Sequence, residues 1–403
     1  MKIVQINSVC GVGSTGKICV AVSRLLAQKN VENYVLYASG KSEYPLGIRY
    51  MTDKEVKWQA LRSRILGNYG FNSRRATKRL LRELDRIQPD IVHLHNLHGH
   101  NVHLGMLCSY LKERGIKVFW TFHDCWAFTG YCPHYDMAGC GQWKTQCETC
   151  MQRSHYSWFR DRSADLYRKK KEALLGLDLT VITPSQWLAD QVRQSFLREY
   201  PTKVIHNGID PSVFYPHESD FRQKNGLEHK HVVLGVAFGW GPRKGLDVFV
   251  ELAKRLDDTY RIVLVGTDDA VDRQLPSNIL SIHRTQNPAE LAEIYSAADV
   301  FVNPTREENY PTTHMEALAC GTPVVSFATG GSLEMLDATC GCGVPKNDVD
   351  GLEGQIRRIC EEGPYMVEAC VERAKDFDQE ARFRDYIALY TKKPVRFPGR
   401  VKQ

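Results

Sequence analysis

The strongest constraint on the fold is an alternation that runs, stops and starts again. Short β-rich runs, KIVQINSV, YVLYAS, DIVHLHN, KVFWTFHD, LTVITPS and KVIHN, are separated by helical patterns near residues 17 to 29, 54 to 66, 72 to 87, 101 to 114, 163 to 175 and 186 to 197. Strands that alternate with helices in this way predict right-handed βαβ units and a parallel sheet covered on both faces. The segment HNGIDPSVFYP, with Asn207-Gly208 and two prolines, breaks the pattern. Alternation then resumes with VVLGVAFG, RIVLVG, ILSIHR, VFVNPT and PVVSFA as strands and GLDVFVELAKRL, PAELAEIYSAA and THMEALACG as helices. The expected fold class is α/β, two doubly wound domains facing a central cleft, which is where such sheets bind ligands. We place the boundaries at 1–206 and 207–375, with a C-terminal helix and basic tail at 376–403.

A chain of 403 residues exceeds the size at which one core usually stops growing, which agrees with two domains. No run approaches eighteen apolar residues, and the opening MKIVQINSV reads as a strand rather than a signal peptide, so a cytoplasmic location is expected. The net charge of +6 is too mild to argue for nucleic acid. Its distribution is uneven. VKWQALRSRILGNYGFNSRRATKRLLREL carries Lys57, Arg62, Arg64, Arg74, Arg75, Lys78, Arg79 and Arg82 among Trp58, Leu61, Ile65, Leu66, Tyr69, Phe71, Leu80 and Leu81. That mixture suits peripheral attachment to an anionic membrane surface, and equally a solvated helix pair covering a sheet.

The loop after the first strand, VCGVGSTGKIC, fits two phosphate-binding spellings. Gly11, Gly13 and Gly16 space as G-x-G-x-x-G, and Gly11, Gly16 and Lys17 space as G-x-x-x-x-G-K. Glycines let a backbone approach phosphate, and the next helix offers unpaired N–H groups. Neither spelling completes itself. Ile18 stands where a P-loop needs Ser or Thr, and the strand YVLYASG ends in Ser39 and Gly40 where a dinucleotide fold wants an acid.

TREENYPTTHMEALACGTPVVSFATGGSLEML, residues 305 to 336, is more informative. Glu308 and Glu316 stand eight positions apart, one in a loop after a strand and the other in the first turns of the next helix. A carboxylate there can accept two hydrogen bonds from a vicinal diol such as a ribose or a sugar. This spacing, followed by EALACGTPVV and GGSLE, resembles the E-x7-E signature of the retaining glycosyltransferases of family 4, and the cysteine-rich insertion at 125–155 resembles those of a subgroup from polysaccharide gene clusters. The resemblance runs along nearly the whole chain, through the glycine loop, DIVHLHN, TFHD, HNGID and RKG in order.

The resemblance implies the GT-B architecture, with an acceptor-side Rossmann-like domain first and a nucleotide-sugar-binding one second. It implies that Glu316 binds the ribose of a nucleotide-diphosphate sugar and Glu308 the hydroxyls of the donated sugar, helped by backbone amides around Asn309 and Tyr310. Lys244 would face the diphosphate, with Arg243 beside it; His123 would orient the transferred sugar; and the loop bearing Gly13 would approach the phosphates. One departure stands out, since Gly239 and Trp240 occupy the place where the family carries an arginine before the lysine. His93, His95, His98, His100 and His103 crowd one region and read as polar lining of a strand end rather than as a metal site.

Thirteen cysteines in a chain expected in the cytoplasm argue against a disulfide scaffold, and Cys10, Cys19, Cys108, Cys320 and Cys370 read as small buried thiols. An insertion at 125–155 differs. Cys132, Cys140, Cys147 and Cys150, the last two a C-x-x-C knuckle, could close a structural zinc site, with Cys125 and His134 in reserve.

The expected activity is therefore sugar transfer from a nucleotide-diphosphate donor to a hydroxyl of a lipid-linked or oligosaccharide acceptor, with no cofactor required for catalysis. A nucleotide-sugar isomerase on the same fold and a non-catalytic nucleotide-sugar-binding assembly protein are the rival readings. A zinc-dependent nucleic-acid binder is not favoured, because no aromatic and basic reading surface accompanies the cysteines.

Overall fold

The computed structural model describes residues 1–391; the basic tail KKPVRFPGRVKQ lies outside the described residues. The first domain holds a seven-stranded sheet of β1 (Lys2–Asn7), β2 (Glu32–Tyr37), β3 (Gly47–Arg49), β4 (Ile91–Leu94), β5 (Lys117–Thr121), β6 (Leu179–Thr183) and β7 (Thr202–Val204). Its order is β3-β2-β1-β4-β5-β6-β7 and every pairing is parallel. The second holds six parallel strands, β8 (His231–Val236), β9 (Tyr260–Val265), β10 (Ile279–Ile282), β11 (Val300–Asn303), β12 (Val324–Phe327) and β13 (Gly341–Val344), in the order β10-β9-β8-β11-β12-β13. In each sheet the chain starts in the middle, winds to one edge, then returns to fill the other, leaving a switch point where ligands bind.

Strands buried on both faces read as largely apolar runs, and β1, β4, β6, β11 and β12 are buried on both faces with at most a few polar residues each. β3 and β13 escaped the sequence reading. β13 is Gly-Cys-Gly-Val, and a Cβ on Gly341 would lie 2.3 Å from the carbonyl oxygen of Val324. The close strand approach that demands glycine also erases the apolar pattern. The first helix begins at Gly13 rather than near residue 17, so the last glycines of the loop are its first turns.

After helices Val349–Glu362 and Val367–Ala374, the chain returns to the first domain as helix Gln379–Thr391. There Phe383, Tyr386, Ile387 and Tyr390 are buried among Ile3, Ile18, Leu26, Ile91, Phe119 and Ile182. Four such side chains contribute roughly 1.5–3 kcal/mol each, an upper bound, which is enough to hold the helix in place. At the crossing, the amide of Ile209 donates to Phe377 O at 2.8 Å and the amide of Gln379 to Ile209 O at 2.9 Å.

Candidate active site

The carboxyl ends of both sheets face one cleft. On the second-domain side, the loop after β11 carries Glu307, Glu308 and Asn309 into helix Thr312–Ala319. It lies against Gly330, whose φ of +55° and whose place, with a virtual Cβ 1.8 Å from Glu308 O, admit glycine alone. The Glu308 carboxylate accepts from Lys244 Nζ at 2.8 Å and from its neighbour's amide, Asn309 N, at 3.1 Å. Burial would raise this carboxyl, but Lys244 and the amide hold it below its ordinary value. Glu316 contrasts with it. Burial pushes Glu316 up, while its carboxylate accepts from Tyr295 OH at 3.1 Å and feels Lys17 from the opposite domain. Two carboxylates on one loop-helix unit are thus tuned in opposite directions.

His123 follows β5 on the other side. The resemblance implies that it orients the transferred sugar; in the structure its carbonyl accepts from Asn309 Nδ2 of the second domain at 3.1 Å. Its ring belongs to a chain of contacts. Gln5 Nε2 donates to Cys19 O at 2.9 Å, so Gln5 Oε1 must accept from His95 Nε2, 3.0 Å away. His95 Nδ1 is then the acceptor facing His123 Nε2 at 3.3 Å. Burial drives His123 down to about 4, and His95 falls well below its ordinary value for the same reason, with His93 and His123 adding to it. These imidazoles are neutral in the fold. His93 lies behind them, between Thr121 Oγ1 at 2.8 Å and Tyr390 OH at 2.5 Å.

The glycine loop closes on itself through Gly11 N to Gly16 O at 3.1 Å, and Val12, the cap of helix Gly13–Gln28, gives no side-chain bond to the helix amides. Gly13 has φ +63° with open space where a side chain would be. First-turn N–H groups are thereby left for a ligand. Tyr310 stacks on His206 of the linker with ring centroids 4.8 Å apart, so its side chain is structural while its backbone lies in the loop.

The arginine missing before Lys244 has a physical counterpart. Trp240 packs edge-on against Phe249 and donates to Val265 O at 3.1 Å, a half-buried side chain resting on the core at the sheet end. Arg243 reaches toward the cleft, where Nη1 lies 3.4 Å from Glu307 O and its charge is felt by His134.

Several groups that join the domains carried no motif in the sequence. Ser185 Oγ donates to Asn309 Oδ1 at 2.7 Å. The Glu334 carboxylate accepts from the amides of Gln186 and Trp187, at 2.8 and 2.7 Å, capping helix Gln186–Gln194 from the other domain. Glu307 Oε1 accepts from Met137 N at 2.8 Å, and Lys346 Nζ pairs with Asp136 at 3.0 Å, so the cysteine insertion touches the second domain. A long-range contact of this kind leaves no trace in local spacing; only the GGSLE run pointed at Glu334.

A pocket beside His123 is lined by Asn96, His98, Phe122, Asp124 and Trp126. Burial would raise Asp124, but His98 Nε2, 3.1 Å away, and the amide of Trp126 hold it at about 2. Tyr69 OH meets His98 Nδ1 at 3.1 Å. Asn96 Oδ1 and Trp126 Nε1, on two of the lining residues, are buried with no partner among the described residues, as is His100 Nδ1.

In the insertion, Cys132 Sγ and Cys150 Sγ are 3.8 Å apart, and Cys147 Sγ accepts from Gly130 N at 3.3 Å. Cys140 and Cys147 act on the charge of Cys132 but are not drawn into a closed cage. Among the described residues, the compact group of three or more ligand side chains is Asp269, Asp272 and His283, an exposed cluster far in sequence from the thiols. The reserve ligands fall elsewhere: His134 turns to the cleft beside Glu307 and Glu308, and Cys125 is buried against Tyr135. The remaining described cysteines are unbridged.

Comparisons with known proteins agree with this geometry. The model of the family described as Glycosyltransferase Family 4 matches residues 16–213, and that described as Glycosyl transferases group 1 matches residues 230–362. The chain is 24% identical over 369 residues to the putative colanic acid biosynthesis glycosyl transferase WcaC of Escherichia coli, covering 87% of this chain and 88% of that one. Its fold is similar to that of sucrose-phosphate synthase from Thermosynechococcus elongatus, with TM-score 0.71, 18% identity and coverage of 96% and 98%. It is similar to that of Anabaena HepE in complex with UDP, with TM-score 0.71, 15% identity and coverage of 98% and 100%. With matching family models on both lobes and the double Rossmann-like frame around one cleft, the chain belongs to the group 1, family 4 glycosyltransferases of GT-B fold.

Proposed function

We propose that the chain moves a hexose from a nucleoside-diphosphate donor to a hydroxyl acceptor with retained anomeric configuration. The observation that supports this best is the Lys244–Glu308 pair at 2.8 Å, set next to the carbonyl of His123 across the cleft. A diphosphate laid against the first-turn amides of helices Gly13–Gln28 and Thr312–Ala319 would draw Lys244 Nζ to itself. Glu308 would then accept from sugar hydroxyls and Glu316 from the ribose diol, while neutral His123 orients the sugar.

In the reaction, the bond between the anomeric carbon and the phosphate oxygen breaks and its electron pair stays on that oxygen. The acceptor oxygen bonds to the same face of the sugar, and its proton passes to the departing phosphate. Lys244 and the helix amides stabilise the charge that builds there, so no divalent cation is called on for the step. The likeness to WcaC, together with the unpartnered polar atoms around Trp126, supports a lipid-linked or oligosaccharide intermediate of cell-surface polysaccharide synthesis as acceptor.

For the insertion, a Zn²⁺ with metal-sulfur distances of about 2.3 Å requires sulfurs about 3.8 Å apart, the separation of Cys132 and Cys150. We read Cys132, Cys140, Cys147 and Cys150 as the residues that would hold it, and the ion as one that would brace the segment that reaches Glu307.

The test is a panel of nucleoside-diphosphate sugars, followed by diphosphate release without acceptor and by the anomeric signal of the product with one. Consumption of one donor, lost in Lys244→Ala, supports the reading. Equal hydrolysis by wild type, Lys244→Ala and Glu308→Gln, or an inverted product, would overturn it.

A further inference from the structure

Helix Asp53–Leu66 is built to stand alone. Thr52 and Glu55 form a capping box at its start and Gly67, in the left-handed region, ends it. Yet its one fully buried residue is Ser63. Its large apolar residues Trp58, Leu61 and Ile65, spaced three and four apart on one face, point outward, Trp58 with 62% of its surface exposed. Helix Arg74–Ile87 in the same basic stretch does the opposite, burying Ala76, Leu80, Leu84 and Ile87 and leaving its cations on a wet face. The basic stretch therefore divides into a core-covering half and an outward apolar half.

The outward face continues across a chain crossing. Trp158 N donates to Arg64 O at 2.8 Å, which brings Trp158 and Phe159, exposed by 49% and 70%, to the end of the helix. Among the described residues, the exposed cations Lys54, Lys57, Arg62, Arg64 and Arg160 around these aromatics take part in no ion pair. The nearby acids are engaged: Asp53 pairs with Arg49, Glu55 with Arg79, and Asp161 accepts from the amides of Cys150 and Ser163. An apolar patch of tryptophan, phenylalanine and aliphatic residues inside a rim of unpaired cations has the composition of a surface that enters a lipid headgroup layer. No helix among the described residues is long and apolar enough to cross a membrane, so attachment at a surface is the form it can take.

We propose that helix Asp53–Leu66, with Trp158 and Phe159, docks on an anionic phospholipid membrane. The segment after this helix leads to the site. Tyr69 meets His98, which pairs with Asp124 beside His123, and Tyr69 packs on Trp126 and Tyr156. A lipid-linked acceptor would enter the pocket from the membrane side. The inference deepens the reading above and rests on it for the acceptor, but membrane attachment is measured separately from catalysis.

The experiment is sedimentation of the full chain with vesicles of phosphatidylglycerol and phosphatidylcholine, or phosphatidylcholine alone, with donor hydrolysis measured on the same preparations. Binding is expected with phosphatidylglycerol. It should fall at least tenfold in Trp58→Ser/Trp158→Ser/Phe159→Ser, and about fivefold per cation in Lys57→Glu/Arg62→Glu/Arg160→Glu. Both sets should hydrolyse donor as the wild type does. Three outcomes would overturn the proposal: no vesicle binding, binding that survives the aromatic substitutions but is lost on reversing Arg74, Arg75 and Arg82, or concentration-dependent dimerisation abolished by the aromatic substitutions. Loss of hydrolysis in Lys244→Ala with vesicle binding intact keeps the two readings apart.

Discussion

Asn309 joins the two domains through both ends of its amide, its nitrogen donating to the carbonyl of His123 at 3.1 Å and its oxygen accepting from Ser185 Oγ at 2.7 Å. The same residue gives its backbone amide to Glu308. The contact between the domains and the position of the Glu308 carboxylate are thus set by one residue. Asn309→Asp keeps the size but places an acceptor against an acceptor. We expect about a tenfold or larger loss of kcat/KM for the donor, and Ser185→Ala to lose less; initial rates on the preferred donor check both.

Lys244 and Glu316 should separate kinetically. On the proposed roles, Lys244→Ala removes a charge that would act on the leaving group and should lower kcat by roughly 10²–10³. On the same reading, Glu316→Ala would remove a ground-state contact to the donor and should raise KM by about 10- to 100-fold with a smaller change in kcat. A titration of donor hydrolysis against concentration distinguishes them, and equal effects on kcat and KM in both variants would refute the division of roles.

The imidazole chain gives a pH prediction. His123 and His100, each depressed to about 4, and His93, depressed to about 3, are neutral in the fold but take up protons near 6.5 when unfolded. Burial is the leading cause in each. Between about pH 6.5 and 4 the unfolded chain binds more protons, so stability is full above the window and is lost as pH falls through it. Thermal unfolding should show Tm falling from pH 7 to 5, with a shallower slope in His93→Asn. Asp124, held at about 2, contributes in a lower window, between about 4 and 2.

Gln5 sets the direction of that chain. Gln5→Leu leaves His95 free to swap tautomers and should lower kcat several-fold with little change in KM. Gln5→Glu still accepts from His95 Nε2 and should retain more activity, with its pH–rate profile displaced because the carboxylate favours a charged His95. Identical pH profiles for all three proteins would reduce Gln5 to a packing role.

The zinc reading predicts one metal ion per chain by elemental analysis, and none in Cys132→Ser/Cys150→Ser. Removing the ion should increase protease cleavage within 137–150 before it changes donor hydrolysis, since the insertion's hydrogen bonds to the second domain, at Asp136 and Met137, lie outside the C-x-x-C knuckle. A metal-free wild type with four reactive thiols in the folded state would contradict it.

The two wound sheets were legible because strands buried on both faces are written as apolar runs. Boundaries slipped where glycine served two purposes, at Gly13 and Gly341, and β3 is too short to make a pattern. The eight-residue spacing of Glu308 and Glu316 singles out the loop and helix after β11, and Lys244 enters through the RKG run that resembles the family. Gln5 and Ser185 could not be found this way, because a polar residue whose partner lies far along the chain looks like any other, and Glu334 is marked only by the GGSLE run. The basic stretch misled by treating two helices as one surface, and only their opposite burial separates them.

The paired crossings at Ile209 and Gln379 have a mechanical result. Two covalent connections lying side by side and bonded to each other behave as an axle: they permit the lobes to swing apart but resist torsion between them. A clamshell so hung reopens in register, which returns Glu334 to the same two amides on every turnover.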